Sequence, residues 1–202
     1  MLIVKITTSY PENPESLLRQ TPGESGVWNN IQFFINNDSI KICDYWIVYE
    51  GLTKREEVIC PKENVVLITG EPPSVKKYNN QFVKQFSKVI TCHRDLEHEN
   101  KIYWQQALSW FIGKTILSNY NEGHRITYDY FKNKIIDSNE KNKICSVISS
   151  NLKISQGHLD RLQFIDILLN HFGDKIDVFG RGFNDIVDKW DAIVPYKYHI
   201  VI

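Results

Sequence analysis

The chain has no excess of charge of either sign and no long hydrophobic run. Its 202 residues include 24 Lys and Arg and 24 Asp and Glu, so the formal net charge at pH 7 is zero. A neutral chain lacks the basic surface that binds nucleic-acid phosphates, so we predict no nucleic-acid partner. No segment approaches the roughly 20 apolar residues of a transmembrane helix, and the apolar opening at 1–5 is too short for a signal peptide. These absences indicate a protein of the cytoplasmic side.

Spacings typical of metal sites and disulfide frameworks are also missing. The four cysteines are widely separated and form no Cys-x-x-Cys pair, which indicates reduced thiols: Cys43, Cys60, Cys92 and Cys145. No two of the six histidines have metal-ligand spacing on one helix face, and the chain contains no Asp-x-Asp pair. We therefore predict no obligatory metal or cofactor.

What the chain does contain is an alternation of strand and helix over 144–202. The pattern predicts a strand and loop at 144–151, an amphipathic helix at 157–172, a strand at 175–180, a short helical segment at 185–193 ended by Pro195, and a strand at 198–202. Ser155 is placed to cap the long helix and Gly173 to end it. Repeated strand, helix and strand predict a parallel sheet of Rossmann-like architecture, which binds ligands at the carboxyl ends of its strands.

Arg161 breaks the apolar pattern of the long helix. It shares the stripe formed by Ile165, Leu168 and Phe172, which should face the sheet. Because helical side chains lean toward the helix N-terminus, Arg161 should reach the loop at 149–155, where a phosphate is favoured. The alternative is an arginine that extends to the edge of the core or pairs with a neighbouring carboxylate, either Asp160 or Asp177.

The first half of the chain shows the same α/β alternation. The predicted elements are strands at 2–7, 44–49, 64–69 and 88–92, and a helix capped by Ser74 that carries Tyr78, Phe82 and Phe86 in one stripe. Thr69-Gly70-Glu71-Pro72-Pro73 places a carboxylate at the carboxyl end of an apolar strand and stiffens the exit with two prolines. A general base needs such a fixed orientation. The alternative is a solvated turn residue.

These residues carry a resemblance to a known family. The run from Ser146 to Ile202 resembles the donor-binding domain of family 10 glycosyltransferases, the α-1,3/4-fucosyltransferases, and above all its bacterial members of surface-polysaccharide synthesis. The likeness rests on Ser-Ser-Asn at 149–151, on Arg161, on Ile-Asp-Val-Phe-Gly-Arg at 176–181 and on Tyr-Lys-Tyr-His-Ile-Val-Ile at 196–202. The family has the GT-B fold, two Rossmann-like domains with parallel sheets, and transfers fucose from GDP-fucose with inversion.

The resemblance implies roles for individual residues. Arg161 matches an arginine that contacts the donor diphosphate, Ser149, Ser150 and Asn151 match the donor-binding loop, and Glu71 lies in a Thr-Gly-Glu motif that carries the proposed catalytic base. The family continues into a Glu-Asn-Ser/Thr segment and a Tyr-x-Thr-Glu-Lys motif, which this chain does not reach. We therefore expect an acceptor domain at 1–118, a linker at 119–143 and an incomplete donor domain at 144–202.

Aromatic residues outside the clearest strands form a second candidate surface, because sugars stack on aromatic rings: Trp28, Tyr103, Trp104, Trp110 and Phe111. The segment at 102–113 also resembles the corresponding region of the bacterial relatives. Core packing is the alternative for these rings. We predict acceptor contacts from Trp28 and from His93, which follows a strand end; the alternative for His93 is an exposed loop residue.

The resulting prediction is an inverting glycosyltransferase whose donor is GDP-fucose and whose acceptor is a hydroxyl of lipopolysaccharide or another surface polysaccharide. Peripheral association with the inner face of the membrane stays open, as does the oligomeric state. Two alternatives remain: a GT-B transferase that uses another nucleotide sugar, and a non-catalytic fragment that acts as a binding or interaction module.

Overall fold

The computed structural model describes residues 1–10, 14–107, 111–116, 122–135 and 137–202. The chain divides into two compact units. The first unit comprises Met1–Ser109 and Thr127–Asp129, and the second comprises Trp110–Ile126 and Tyr130–Ile202. The domain and linker bounds expected from the sequence stay a prediction, and residues 119–121 and 136 of that linker lie outside the described residues.

A mostly parallel sheet of seven strands forms the first unit. The strands are β1 (Leu2–Thr8), β2 (Val27–Trp28), β3 (Ile31–Ile35), β4 (Tyr45–Tyr49), β5 (Val65–Ile68), β6 (Lys88–Thr91) and β7 (Lys101–Tyr103). Their order is β2-β3-β1-β4-β5-β6-β7, and all neighbours are parallel except β2 and β3. The carboxyl ends of β1, β4, β5 and β6 therefore meet at one edge of the sheet.

Apolar residues of the central strands build the core of the first unit. Val48 in β4, Leu67 in β5 and Val89 in β6 are fully buried and pack with Val83 and Phe86. β-branched residues suit a pleated surface that is covered on both faces, which explains why these runs form parallel strands. This core fixes the strand ends from which the candidate site is built.

The prediction of a helix that begins at Ser74 is wrong. The structure has only a single-turn helix α2 (Asn80–Val83), and its cap is Asn79, whose side chain accepts a hydrogen bond from the Gln81 amide at 2.7 Å. Residues 72–76 instead form a turn in which the Val75 amide donates to the Pro72 carbonyl. The physical reason is that the side chains of Lys76 and Tyr78 hydrogen-bond to Glu50, as described below, and these contacts keep residues 76–79 from becoming helical. The other short helices are α1 (Pro14–Leu18) and α3 (Tyr128–Asn133).

The second unit contains a three-stranded parallel sheet. Its strands are β10 (Lys143–Ile148), β11 (Ile176–Phe179) and β12 (Tyr196–Ile200), in the order β11-β10-β12. A separate antiparallel pair is formed by β8 (Lys114–Ile116) and β9 (Glu122–Arg125). The parallel sheet confirms the predicted alternation, although β12 begins two residues earlier than the predicted strand at 198–202.

The long helix α4 (Gln156–Phe172) connects β10 to β11. Ile165 and Leu168 are buried against Val147 of β10, and Gly173 ends the helix with φ 56°. Ser155 occupies the N-cap position, but its hydroxyl bonds to His158 Nδ1 at 2.6 Å rather than to a backbone amide.

The helical segment predicted at 185–193 is reduced to one 3₁₀ turn at Lys189–Ala192. Asp188, which is 6% exposed, caps this turn by accepting a hydrogen bond from the Trp190 amide at 2.8 Å. The same Asp188 oxygen also accepts from the Gly113 amide at 2.8 Å, so its carboxylate joins two backbone segments of the second unit. Residues 185–188 of the predicted segment are not helical, and they follow a turn at 180–184 in which Gly180 and Gly182 have positive φ.

Across the described residues, no helix combines the length and the apolar character needed to cross a membrane. The same described ranges contain no group of three or more His, Cys, Asp or Glu side chains arranged to hold a metal ion. All four cysteines are free thiols.

Candidate active site

The carboxyl edge of the first sheet gathers polar side chains from three strand ends. Glu50 directly follows β4, Glu71 lies three residues beyond β5, and His93 lies two residues beyond β6. Tyr10 follows β1, whose carboxyl end lies at the same edge. This is the edge at which open α/β sheets bind ligands.

Glu71, the predicted base, has a fixed main chain and a lightly engaged carboxylate. Its amide donates to Glu50 Oε2 at 3.1 Å, and its carbonyl lies 2.9 Å from His93 Nε2. Within the described residues, its half-buried side chain receives one long hydrogen bond, from the Tyr10 hydroxyl to Oε1 at 3.3 Å. The second carboxylate oxygen accepts no hydrogen bond from the part of the chain that the structure describes, so it can accept one from a ligand hydroxyl.

Glu50 organises this edge, and the sequence analysis did not identify it. Its side chain is 3% exposed, and Oε2 accepts hydrogen bonds from the Gly70 amide at 2.5 Å and the Tyr78 hydroxyl at 2.6 Å. Lys76 Nζ lies 2.9 Å from Oε1 as an ion pair and donates to the Glu50 carbonyl at 3.0 Å. One buried carboxylate thus holds the loop that carries Glu71.

The electrostatics keep Glu50 ionised. Burial raises its pKa, but hydrogen bonds from Tyr78, Lys76 and the amides of Gly70 and Glu71 outweigh burial and hold the pKa below the usual carboxyl value. Burial, followed by the negative charge of Glu50, raises the pKa of Tyr10, while burial and the hydrogen bond to Glu50 raise that of Tyr78. Both phenols therefore stay neutral hydrogen-bond donors.

The backbone at Glu50 and Gly70 is adapted to this arrangement. Glu50 has φ 68°, a left-handed conformation that costs a non-glycine residue about 1–3 kcal/mol and often marks functional sites. A Cβ atom at Gly70 would lie 2.7 Å from the Tyr10 hydroxyl and 2.9 Å from Glu50 Oε2. Only glycine fits at that position without displacing both side chains.

His93 is buried at 6% exposure, so the alternative of an exposed loop residue is wrong. Its ring packs edge-on against Tyr78 with centroids 5.1 Å apart. Because a carbonyl can only accept, Nε2 must carry the proton that it shares with the Glu71 carbonyl. His93 therefore supports the loop of Glu71, and its contact with an acceptor stays a prediction.

The second predicted acceptor residue, Trp28, is not brought to this cluster. It lies in β2, four positions from β5 in the sheet order, which corresponds to about 19 Å at roughly 4.8 Å per strand. Its ring is 39% exposed and packs edge-on against Tyr128 at 5.1 Å. Of the other aromatic candidates, Tyr103 and Trp104 are exposed at 49% and 67%, which excludes core packing for both. Trp110 lies outside the described residues.

A sequence signal for Glu50 was present. Tyr49-Glu50-Gly51 ends a strand with a carboxylate beside a glycine, which is the same combination that singled out Gly70 and Glu71. The two strand ends are neighbours in the sheet, since β4 pairs with β5 in parallel. Adjacent strands that both end in a carboxylate would have predicted the pair.

In the second unit, two loops pack tightly at the carboxyl edge of the three-stranded sheet. The Ser149 amide donates to the Phe179 carbonyl at 2.8 Å, and the Asn151 amide donates to the Arg181 carbonyl at 2.9 Å. A Cβ atom at Gly180 would lie 2.0 Å from the Ser149 carbonyl oxygen. The predicted donor loop at 149–151 is therefore held by the loop that follows β11.

Arg161 reaches this loop, as the helix geometry predicted. Its Nη2 lies 3.3 Å from both the carbonyl oxygen and the hydroxyl of Ser150. Its Nε is buried and has no hydrogen-bond partner in the part of the chain that the structure describes. A buried donor without a partner is costly, and an anion at the loop would satisfy it.

The alternative for Arg161, pairing with a neighbouring carboxylate, is wrong. Asp160 accepts a hydrogen bond from Gln156 at 2.7 Å, and Asp177 is engaged by Lys143 at 3.1 Å and by the Tyr196 hydroxyl at 2.5 Å. The guanidinium thus lies between the first turns of α4 and the loop after β10 with its positive charge uncompensated by a described carboxylate. This arrangement suits a phosphate at a helix N-terminus.

Comparison of the chain with protein-family models, with curated proteins and with solved structures finds no match. The function is therefore inferred from the two sites themselves. One provides a carboxylate held at a sheet edge, and the other provides a buried guanidinium beside a loop at the edge of a second sheet.

Proposed function

We propose that the protein is an inverting glycosyltransferase of the GT-B type that transfers fucose from GDP-fucose to a hydroxyl of a glycan. The observation that carries this proposal is Arg161, a guanidinium with an unpaired buried Nε beside the loop that follows β10. A leaving diphosphate is the group that such a site suits. The resemblance to family 10 glycosyltransferases supplies the sugar and the nucleotide.

The reaction is a single displacement. A glycan hydroxyl attacks the anomeric carbon of the donor, the bond from that carbon to the phosphate oxygen breaks, and the nucleotide diphosphate leaves with the bonding electrons. Glu71 takes the hydroxyl proton through the carboxylate oxygen that Tyr10 does not engage. The fixed main chain of Glu71 supports this role, because the base keeps one orientation throughout the reaction.

At the donor end, charge accumulates on the diphosphate as the bond breaks. Arg161 offers Nε and Nη2 to these oxygens, and the Ser150 hydroxyl lies beside it. Ser149 and Asn151 contribute a loop whose backbone is held by the neighbouring loop. Because this charge is larger in the transition state than in the bound donor, Arg161 contributes to turnover as well as to binding.

The acceptor is a lipopolysaccharide or another surface polysaccharide, and the reaction takes place on the cytoplasmic side, at the inner face of the membrane. No metal participates in this scheme, since Arg161 takes the role that a cation would have at the diphosphate. A transferase that uses another nucleotide sugar would share the geometry of Arg161 and differ in its preferred donor, so the test compares donors directly.

The proposal is tested by calorimetric titration of the chain with GDP, GDP-fucose and UDP-glucose. We expect binding of both guanine nucleotides, and Arg161→Ala should weaken it about tenfold to a hundredfold, the loss of one charged hydrogen bond. Arg161→Lys retains the positive charge but lacks the planar guanidinium, so its affinity for the nucleotides should lie between those of the parent chain and Arg161→Ala. Binding of UDP-glucose alone would favour another nucleotide sugar. Binding of no nucleotide, or equal binding by Arg161→Ala, would overturn the proposal.

A further inference from the structure

The first unit has a cavity of about 630 Å³ next to the loop of Glu71. Its walls are residues 72–73, which directly follow Glu71, then Cys92 beyond β6, and the segment 103–106 that continues from β7. The volume lies within the range of roughly 300–1,000 Å³ that is typical of ligand pockets. All of these residues belong to the first unit.

Trp104 gives the cavity an unpartnered aromatic surface. Its side chain is 67% exposed, the largest exposed fraction among the tryptophans that the structure describes. Its indole has no aromatic or cation-π partner in the described ranges, whereas the neighbouring Tyr103 ring is covered by the Arg94 guanidinium at 4.6 Å. Exposure of a large apolar ring to water is unfavourable, so a ligand that covers the Trp104 ring with a flat surface would form a more stable complex.

Two amide side chains follow the aromatic pair. Gln105 and Gln106 are both exposed and line the same cavity. Each amide presents an acceptor oxygen and two donor hydrogens, which together match the hydroxyl groups of a sugar. Among the described residues that line the cavity, none has a charged side chain, which favours a neutral polar ligand over a phosphate or a carboxylate.

The aromatic and amide wall is held at both ends. The Trp104 amide donates to the Thr91 carbonyl at 2.9 Å, as a continuation of the pairing between β6 and β7. Beyond Gln106, the Ala107 carbonyl accepts a hydrogen bond from the Tyr49 hydroxyl at the end of β4. A wall that is ordered before binding loses little conformational entropy when a ligand arrives.

We propose that this cavity binds a pyranose ring. The C–H face of the sugar stacks on Trp104, and the amides of Gln105 and Gln106 hydrogen-bond its hydroxyls. The identification of this sugar with the acceptor depends on the proposed function, because it uses the position of the cavity beside Glu71. Binding of a pyranose depends only on the cavity and can be measured without a donor.

The test uses fluorine NMR on the full chain labelled with fluorotryptophan. The Trp104 resonance is assigned by its absence from the Trp104→Phe spectrum. The chain is titrated with the methyl glycosides of galactose, glucose, mannose and N-acetylglucosamine at tens of millimolar. We expect a saturable shift of the Trp104 resonance with one or more of these sugars, and a weaker response from the other tryptophans.

Affinity is then compared between variants by saturation-transfer NMR with the sugar that binds best. Trp104→Ala should weaken binding about tenfold or more, equivalent to about 1.4 kcal/mol, and Gln106→Ala should weaken it less. Tyr45→Ala is the matched control, because Tyr45 is also an exposed aromatic residue and lies in the same unit. It should leave sugar binding unchanged.

The proposal is overturned if no sugar shifts the Trp104 resonance, if Trp104→Ala binds as well as the parent chain, or if Tyr45→Ala abolishes binding. A saturable shift caused by guanosine instead of a sugar would also overturn it, since the ring would then be a nucleobase platform. Failure of the proposed function looks different: the sugar shift would persist at Trp104 while GDP and GDP-fucose fail to bind in calorimetry.

Discussion

At the scale of single residues, Glu71 combines a half-buried carboxylate with a main chain whose amide and carbonyl are both hydrogen-bonded. Replacing its charge should therefore change proton transfer without moving the loop. We expect Glu71→Gln to retain GDP-fucose binding and to lose about 10²- to 10⁴-fold in turnover, the usual contribution of a general base.

The measurement is the rate of GDP release from GDP-fucose in the presence of a glycan acceptor, together with donor calorimetry. Glu57→Gln is a suitable control, because Glu57 is a largely exposed carboxylate that pairs with the exposed Arg55. Turnover of Glu71→Gln equal to that of the control would exclude Glu71 as the base.

Glu50 acts on the loop of Glu71 from the neighbouring strand, so its ionisation should affect stability. The folded state holds the pKa of Glu50 below the usual value of 4.5, so the unfolded chain takes up the proton first as pH falls. The stabilisation is fully present above about pH 4.5 and is lost as pH falls through the folded pKa. Glu50→Gln should lower the free energy of unfolding at neutral pH by about 1–3 kcal/mol.

This expectation is checked by urea unfolding of both chains across the acidic range. The difference between Glu50→Gln and the parent should shrink as pH falls, because the parent loses the same interaction by protonation. Asp38→Asn provides a comparison, since Asp38 forms an exposed pair with Lys54 and should have little effect. A difference that is constant with pH would contradict a role for Glu50 ionisation.

At the scale of elements, the contact between the loops after β10 and β11 depends on Gly180, and Gly173 at the end of α4 provides a comparison. A Cβ atom at Gly180, where φ is 106°, would lie 2.0 Å from the Ser149 carbonyl, whereas one at Gly173, where φ is 56°, would meet no atom within 4 Å. Gly173→Ala should cost only the backbone strain, about 1–3 kcal/mol. Gly180→Ala should cost more than that and should also displace the loop at 149–151.

Thermal unfolding of the two variants measures the stabilities, and calorimetry with GDP measures the loop. We expect Gly173→Ala to bind GDP like the parent chain and Gly180→Ala to bind it more weakly at a temperature where both are folded. Equal nucleotide binding by the two variants would mean that the Gly180 loop is not part of the proposed nucleotide site.

The alternation of strands and helices could be predicted from the sequence because each central strand is a short apolar run bounded by turn residues. The contact of Arg161 with the loop after β10 could be predicted from helix geometry, since its spacing from Ile165 and Leu168 fixed the helix face on which it lies. The role of Glu50 was harder to predict, because it comes from the pairing of β4 with β5 and from a positive φ that no local pattern signals.

The helix expected at Ser74 illustrates how tertiary contacts override a local pattern. Tyr78, Phe82 and Phe86 have helical spacing, yet the Tyr78 hydroxyl bonds to Glu50 and the backbone before Asn79 stays open. Phe82 and Phe86 still pack edge-on at 5.1 Å, so the apolar stripe is used for packing although most of the helix is absent. Hydrogen bonds to a buried carboxylate were stronger than the helix propensity of this segment.

At the scale of the whole molecule, the two units should respond to acid in different ranges. In the second unit, burial lowers the pKa of His199, whose Nδ1 lies 2.8 Å from the Ser146 hydroxyl. Because that hydroxyl donates to the Ala192 carbonyl, it accepts the Nδ1 proton of His199. The unfolded chain binds a proton near pH 6.5 and the folded chain only at lower pH, so stability falls as pH drops below about 6.5.

His199→Asn retains a donor for Ser146 but cannot become charged. We expect its urea midpoint to change less than that of the parent chain between neutral pH and pH values just above the range of Glu50. The unfolding of the second unit is followed by the fluorescence of Trp190, in a chain whose other tryptophans are replaced by Phe. Parallel pH profiles for the two chains would contradict this assignment.

The buried carboxylate of Glu50 also sets a limit on engineering. A protein engineer who wished to change what this edge of the sheet binds would exchange the loop at 69–73 for one from another protein. The incoming loop would have to present two backbone amides to a carboxylate that belongs to the end of β4. The ends of β4 and β5 therefore have to be exchanged together. A loop exchange should succeed only when Glu50, Lys76 and Tyr78 are transferred with the loop.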